Sequence, residues 1–149
     1  MKKRYKFLLI IVVVFIGIQF YGPYKNSQKG TTVNDFLYSE KAPRDVANLI
    51  INSCYDCHSN FTKDRWYSNI APASWLVGKH VKAGKYSLNF SNWAIMDVRD
   101  KRAMLSAAAF NITKEEMPLK SYLMMHPDTR LSQEEIKKIM KWLYTIEVK

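Results

Sequence analysis

Cysteine is scarce in this 149-residue chain, which has two. Glycine and proline number five each. Two cysteines are too few for a disulfide-framework domain, and so little Gly and Pro excludes a collagen-like or low-complexity chain. Residues are also too few for a multidomain enzyme, because compact domains run to roughly 100–150 residues. Sustained alternation of β-branched and polar residues is missing, and so is any internal repeat, which argues against sheets and solenoids. No acid/base pair, nucleophile constellation or phosphate loop stands out, which favours a carrier over a catalyst. With 48% hydrophobic and 24% charged residues, what remains is an ordinary foldable chain, read as all-α.

Acids are absent from residues 1–30, which hold six bases: Lys2, Lys3, Arg4, Lys6, Lys25 and Lys29. The formal charge of +10 therefore falls to +4 for residues 31–149, with 17 bases against 13 acids. No basic stripe interleaved with aromatics follows, so nucleic acid is not an expected partner. Lys79, Lys82 and Lys85 cluster, either to guide an acidic partner or simply as a solvated face.

Behind the first four bases runs FLLIIVVVFIGIQF, residues 7–20. Its exit through Gln19, Phe20, Tyr21, Gly22, Pro23 and Tyr24 lacks the small-residue pattern of a cleavage site. Counted from Tyr5 to Tyr24 the segment has 20 residues, about a bilayer core, with aromatics at both interfaces. The expectation is an N-terminal transmembrane helix in residues 1–24, with its basic end in the cytoplasm. The alternative is a cleaved signal peptide. Residues 25–40 are polar and without periodicity and read as a tether, leaving 41–149 as the folded domain.

Within that domain a helix is expected after Pro43, carrying RDVANLIINSCYDCH, and a second over residues 73–81, stopping before Gly84 as a left-handed cap. A third fits 97–109, a short one follows Pro118, and Ser132 with Glu135 forms a capping box for the last. Its apolar stripe is Ile136, Ile139, Met140, Leu143 and Tyr144. The long connections 59–71 and 84–92 are rich in Trp, Tyr, Phe and Asn, as if wrapped around some object.

Both cysteines lie in Cys54-Tyr-Asp-Cys57-His58. This is the spacing of c-type haem attachment: two thiols add across vinyl groups and the imidazole takes an axial iron position. On a helix the three residues stand at i, i+3 and i+4, sharing one face. A thioredoxin-like pair needs βαβ context, which is absent. A zinc site lacks a fourth ligand, His80 being 23 residues past Cys57. A disulfide across so short a loop constrains little.

For the other side of the iron the candidates are methionine, histidine or nothing. Met117 stands in a break between helices directly before Pro118, where the chain is pushed extended and the side chain points away from any helix. Five other methionines, Met96, Met104, Met124, Met125 and Met140, suit core or helix-flanking positions. His80 and His126 are the alternatives, with hydrogen bonding their competing role. The second nitrogen of His58 needs a backbone carbonyl, which residues 70–72 can supply. Trp66, Trp75, Trp93, Tyr67 and Tyr122 are candidates to wall the ring or hydrogen-bond its propionates, against the competing explanation of ordinary core.

SCYDCHSN (53–60), RWYSNIAPASWLVGKHVKAGK (65–85), LNFSNW (88–93) and EEMPLKSYLMMHPDTRLSQEE (115–135) together resemble the small bacterial haem-binding domain proteins. The resemblance implies a cytochrome c-like helical domain wrapped around one covalent haem c. It assigns Cys54, Cys57 and His58 to attachment and ligation and Met117 to the methionine of the family's MP segment. It leaves the redox partner proteins unnamed. Joined to the leader, it predicts a single-pass protein of the bacterial cytoplasmic membrane with the haem domain on its periplasmic side. Single-electron transfer is the leading expectation. Alternatives are a peroxidase-like or gas-sensing haem with a displaceable distal ligand, and a haem-delivery role.

Overall fold

The computed structural model describes residues 3–28 and 32–148. Lys2 and Lys29 of the basic segment, with Gly30 and Thr31 of the expected tether, lie outside the described residues. The order is α1 (Lys3–Gln19), α2 (Phe36–Ser39), α3 (Arg44–Ser53), α4 (Tyr55–His58), α5 (Ala73–Ser87), α6 (Val98–Thr113), α7 (Lys120–Met125) and α8 (Gln133–Leu143), with short 3-10 turns at Trp66–Asn69, Phe90–Ile95 and Pro127–Thr129. Among the described residues the only β pairing is an isolated bridge between Ser27 and Phe61, so the all-helical expectation holds.

The transmembrane expectation does not. No helix among the described residues is long and apolar enough to cross a membrane. At 1.5 Å per residue the 17 residues of α1 reach about 25 Å, against a hydrocarbon core of about 30 Å, and three of its first four residues are charged. The helix stops because Gln19 turns back. Its amide donates to the Phe15 carbonyl at 2.9 Å and to the Ala71 carbonyl at 3.2 Å, and its own oxygen accepts from the Ala71 N–H at 2.9 Å. The aromatics that were to extend the span lie instead against α5. Tyr21 packs edge-on to Trp75 at 5.8 Å, and a Cβ on Gly78 would stand 2.7 Å from Tyr24 Cβ. The predicted single-pass membrane location falls with the span.

Residues 25–28 are likewise docked. Asn26 is buried, donating to the Ser59 carbonyl at 2.8 Å and accepting from Lys85 Nζ at 2.9 Å. Lys82 sits over the Tyr24 ring at 4.9 Å. Two of the three clustered lysines thus hold this segment.

The core is an aromatic stack. Phe36 meets Phe90 at 5.0 Å, Trp93 at 4.8 Å and Trp142 at 5.2 Å, and Phe90 continues to Tyr55 at 5.2 Å. Val46 and Ile50 of α3, Ile112 of α6 and Ile136 and Ile139 of α8 close around it. The capping box of Ser132 and Glu135 forms as expected. Trp142, not Tyr144, completes the buried face of α8; Tyr144 caps the helix and is exposed.

Candidate functional site

Helix α3 ends at Ser53, and Cys54 (φ −126°, ψ −36°) breaks the helix that was expected to run on through His58. One helical turn then closes on the Cys54 carbonyl, which accepts from the N–H of Cys57 at 3.2 Å and of His58 at 2.9 Å. The three chemistry-bearing residues still share one turn. Ser53 anchors it by donating from Oγ to the Thr129 carbonyl at 2.9 Å.

Helix α5 supports this turn at bare backbone distance. A Cβ on Gly84 would lie 2.5 Å from the Cys57 carbonyl oxygen and 3.0 Å from its carbon. Gly84 is therefore not a cap, as the sequence suggested. The helix runs through it to Ser87, and the glycine is where two backbones touch. Just beyond, Leu88 offers its carbonyl to His58 Nδ1 at 3.0 Å. A backbone carbonyl does hold the imidazole, but it comes from the end of α5 and not from residues 70–72. Since a carbonyl only accepts, Nδ1 carries the hydrogen and Nε2 is the free lone pair. Burial pushes the His58 pKa down, against the backbone bonds at Leu88 and Gly84, so the ring is neutral and ready for a metal.

Burial also pushes the Cys54 thiol up to about 12, with Cys57 adding to it, and the Cys57 thiol up to about 11, with the Asp56 charge adding. Both are thiols at neutral pH. A redox-active pair has the opposite tuning, a thiolate held by positive surroundings. Among the described residues no three His, Cys, Asp or Glu side chains gather to hold a metal.

Two adjoining cavities of about 350 and 230 Å³ open at this turn, both lined by Cys54, His58, Met117 and Pro118. The larger is floored by apolar Phe90, Met104, Ala108 and Ile112. The smaller adds Cys57, His80 and Tyr122. A third cavity of about 320 Å³ shares Asp56, Cys57, His80 and Tyr122 with the smaller one. These volumes suit a small-molecule or cofactor site.

A model of the haem-binding domain family matches residues 13–145. The chain belongs to the haem-binding domain family. No curated protein and no solved structure matches it. Haem iron can be held by a neutral imidazole, alone or with a thioether, and the turn at 54–58 with its cavities offers both residue types beside apolar walls.

The other expected residues of this haem-binding protein divide sharply. Met117 shares both cavities with His58. His80 shares the smaller one. His126 does not: it is buried, its Nε2 is hydrogen-bonded to the Tyr67 hydroxyl, and its ring lies 4.4 Å from Tyr122. Tyr122 lines two cavities and donates to Asp56 Oδ2 at 2.8 Å. Trp66 edges the third cavity and is 74% exposed. Trp75 holds the N-terminal segment, donating to the Tyr21 carbonyl at 3.3 Å. Trp93 is fully buried in the core stack, donating to Glu40 Oε1 at 2.6 Å, and lines none of these three cavities. Gly84 as a backbone contact and Leu88 as the acceptor for His58 were missed. No local pattern marks these roles, because each depends on a segment distant in the chain.

Proposed function

We propose that this haem-binding protein carries one haem c, tethered through Cys54 and Cys57 with His58 and Met117 as axial ligands, and that it relays single electrons between redox partner proteins. The observation that supports this best is that His58, with Nδ1 committed to Leu88, and Met117 line the same two cavities beside the cysteines. Bound haem supplies a one-electron couple, and thioether ligation raises its potential. The chain's own contributions are specific. Leu88 fixes the imidazole tautomer and direction, and the buried thiols arrive protonated, the form that adds across a vinyl group with no net oxidation. Phe90, stacked on Tyr55 and 6.1 Å from the His58 ring, ties the ligand turn rigidly to the core, which limits reorganisation when charge changes.

Protein matured in a host that attaches haem tests this by intact mass and absorption. The expected result is a one-haem mass increase that survives denaturation, and the weak far-red band of methionine-ligated ferric haem. Met117→Ala abolishes that band while His80→Ala and His126→Ala keep it. Colourless denatured protein with two alkylatable thiols refutes the attachment. High-spin spectra in the unmodified protein refute Met117 as ligand and favour a binding or catalytic haem.

A further inference from the structure

The third cavity holds an electrostatic imbalance that the haem ligands do not explain. Two buried side-chain atoms lack a hydrogen-bond partner among the described residues, Arg65 Nε and Ser68 Oγ, and both residues line this cavity, Ser68 from the side it shares with a neighbouring one. A guanidinium is always charged, and shielding its N–H from water without an acceptor is costly. Asp56, the one carboxylate among the described lining, is committed elsewhere. It accepts from the Lys63 N–H at 3.0 Å and the Tyr122 hydroxyl at 2.8 Å. His126 is held neutral by burial, with the Arg65 charge adding to the effect. The corner therefore offers a cationic N–H and a hydroxyl with nothing to receive them, against walls of Trp66, Tyr67 and Tyr122. The complement is an anionic oxygen pair on a flat or apolar body.

We propose that Arg65 and Ser68 form a carboxylate-binding corner, and that the carboxylate is a haem propionate. The cavity adjoins the attachment turn through Cys57, which it shares with the His58 and Met117 cavity. A macrocycle tethered there by its vinyl edge would carry its propionates on the opposite edge, so the corner would receive one with the ring lying along the shared lining of Cys57, His80 and Tyr122. This assignment rests on the covalent-haem reading; the carboxylate site itself does not. Arg65 and Ser68 are positioning residues here, and a free organic acid is the other source of the same chemistry.

The test uses haem-loaded protein, wild type against Arg65→Leu, Arg65→Lys and Ser68→Ala, each checked for fold by circular dichroism. Resonance Raman reads the propionate bending band, and a potential-against-pH titration reads the propionate's ionisation. The expected result is a shifted band in Arg65→Leu and Ser68→Ala. The inflection in the potential curve should also move to higher pH by about 1–3 units in Arg65→Leu, because a lost cation no longer favours the carboxylate. Arg65→Lys restores most of the inflection but not the band. Unmoved haem signals with saturable benzoate binding by calorimetry, lost in Arg65→Leu, keep the carboxylate corner but overturn the propionate assignment. Unmoved haem signals without benzoate binding overturn the proposal, and Ser68→Ala can overturn it in the same way even if Arg65→Leu fails to fold. Protein carrying no covalent haem refutes the attachment reading, and benzoate calorimetry then decides the corner alone.

Discussion

Replacing Gly84 by alanine tests the contact that holds the turn at 54–58. The added Cβ would meet the Cys57 carbonyl oxygen at 2.5 Å, where ordinary contact begins at 3.4 Å, so α5 or the turn must yield by about 0.9 Å. Both partners are backbone, so no rotamer can absorb the shift. Overpacking of this kind costs about 1–3 kcal/mol, and the better helix propensity of alanine returns about 1 kcal/mol. Gly78→Ala supplies the reference. It lies on the same helix and gains the same propensity, but its Cβ meets the Cβ of Tyr24 at 2.7 Å instead of a backbone carbonyl of the turn at 54–58. The expected outcome is that Gly84→Ala is less stable than Gly78→Ala by about 1–2 kcal/mol, seen as a Tm lower by several degrees. Haem attachment, read by mass, should also fall, because Leu88 is carried away from His58 with the helix. A Gly84→Ala protein as stable as Gly78→Ala, with full attachment, refutes the idea that backbone contact sets the geometry of the site.

Acid sensitivity follows from the two buried imidazoles. His58 and His126 both have pKa values lowered by burial. Below about 6.5 the unfolded chain therefore binds protons that the folded one refuses, and stability of the haem-free protein is lost as pH falls through that value. His58→Phe should flatten the acid limb of a denaturation series, and an unchanged slope counts against the burial argument. Tyr67→Phe removes the bond to His126 Nε2 and leaves that buried nitrogen unsatisfied, at a cost of about 1–3 kcal/mol in urea unfolding. Trp93→Phe should destabilise by a similar amount while leaving the haem spectrum unmoved, since Trp93 serves the core and lines none of the three cavities at the turn; a spectral shift would return it to the site.

Much of the helical plan was legible because its signals are local. Pro43 flanks α3, Asp97 caps α6 and the Ser132 and Glu135 box opens α8, each by chemistry completed within a few residues. The turn at 54–58 was legible for the same reason: its thiols and imidazole lie within five consecutive residues. The leader misled because apolar length was counted through Tyr24, while the structure diverts Tyr21 and Tyr24 onto α5. Gly84 misled because a glycine marking a close approach and a glycine capping a helix look alike without the neighbour.

From composition and spacing alone came the helical class, the thiol and imidazole donors and the candidate methionine, since each depends on residue identity and short-range periodicity. Which carbonyl steers His58, which aromatics belong to the core and where a guanidinium lacks a partner were decided only when distant segments of the chain met, because burial and hydrogen-bond satisfaction are properties of the packed chain.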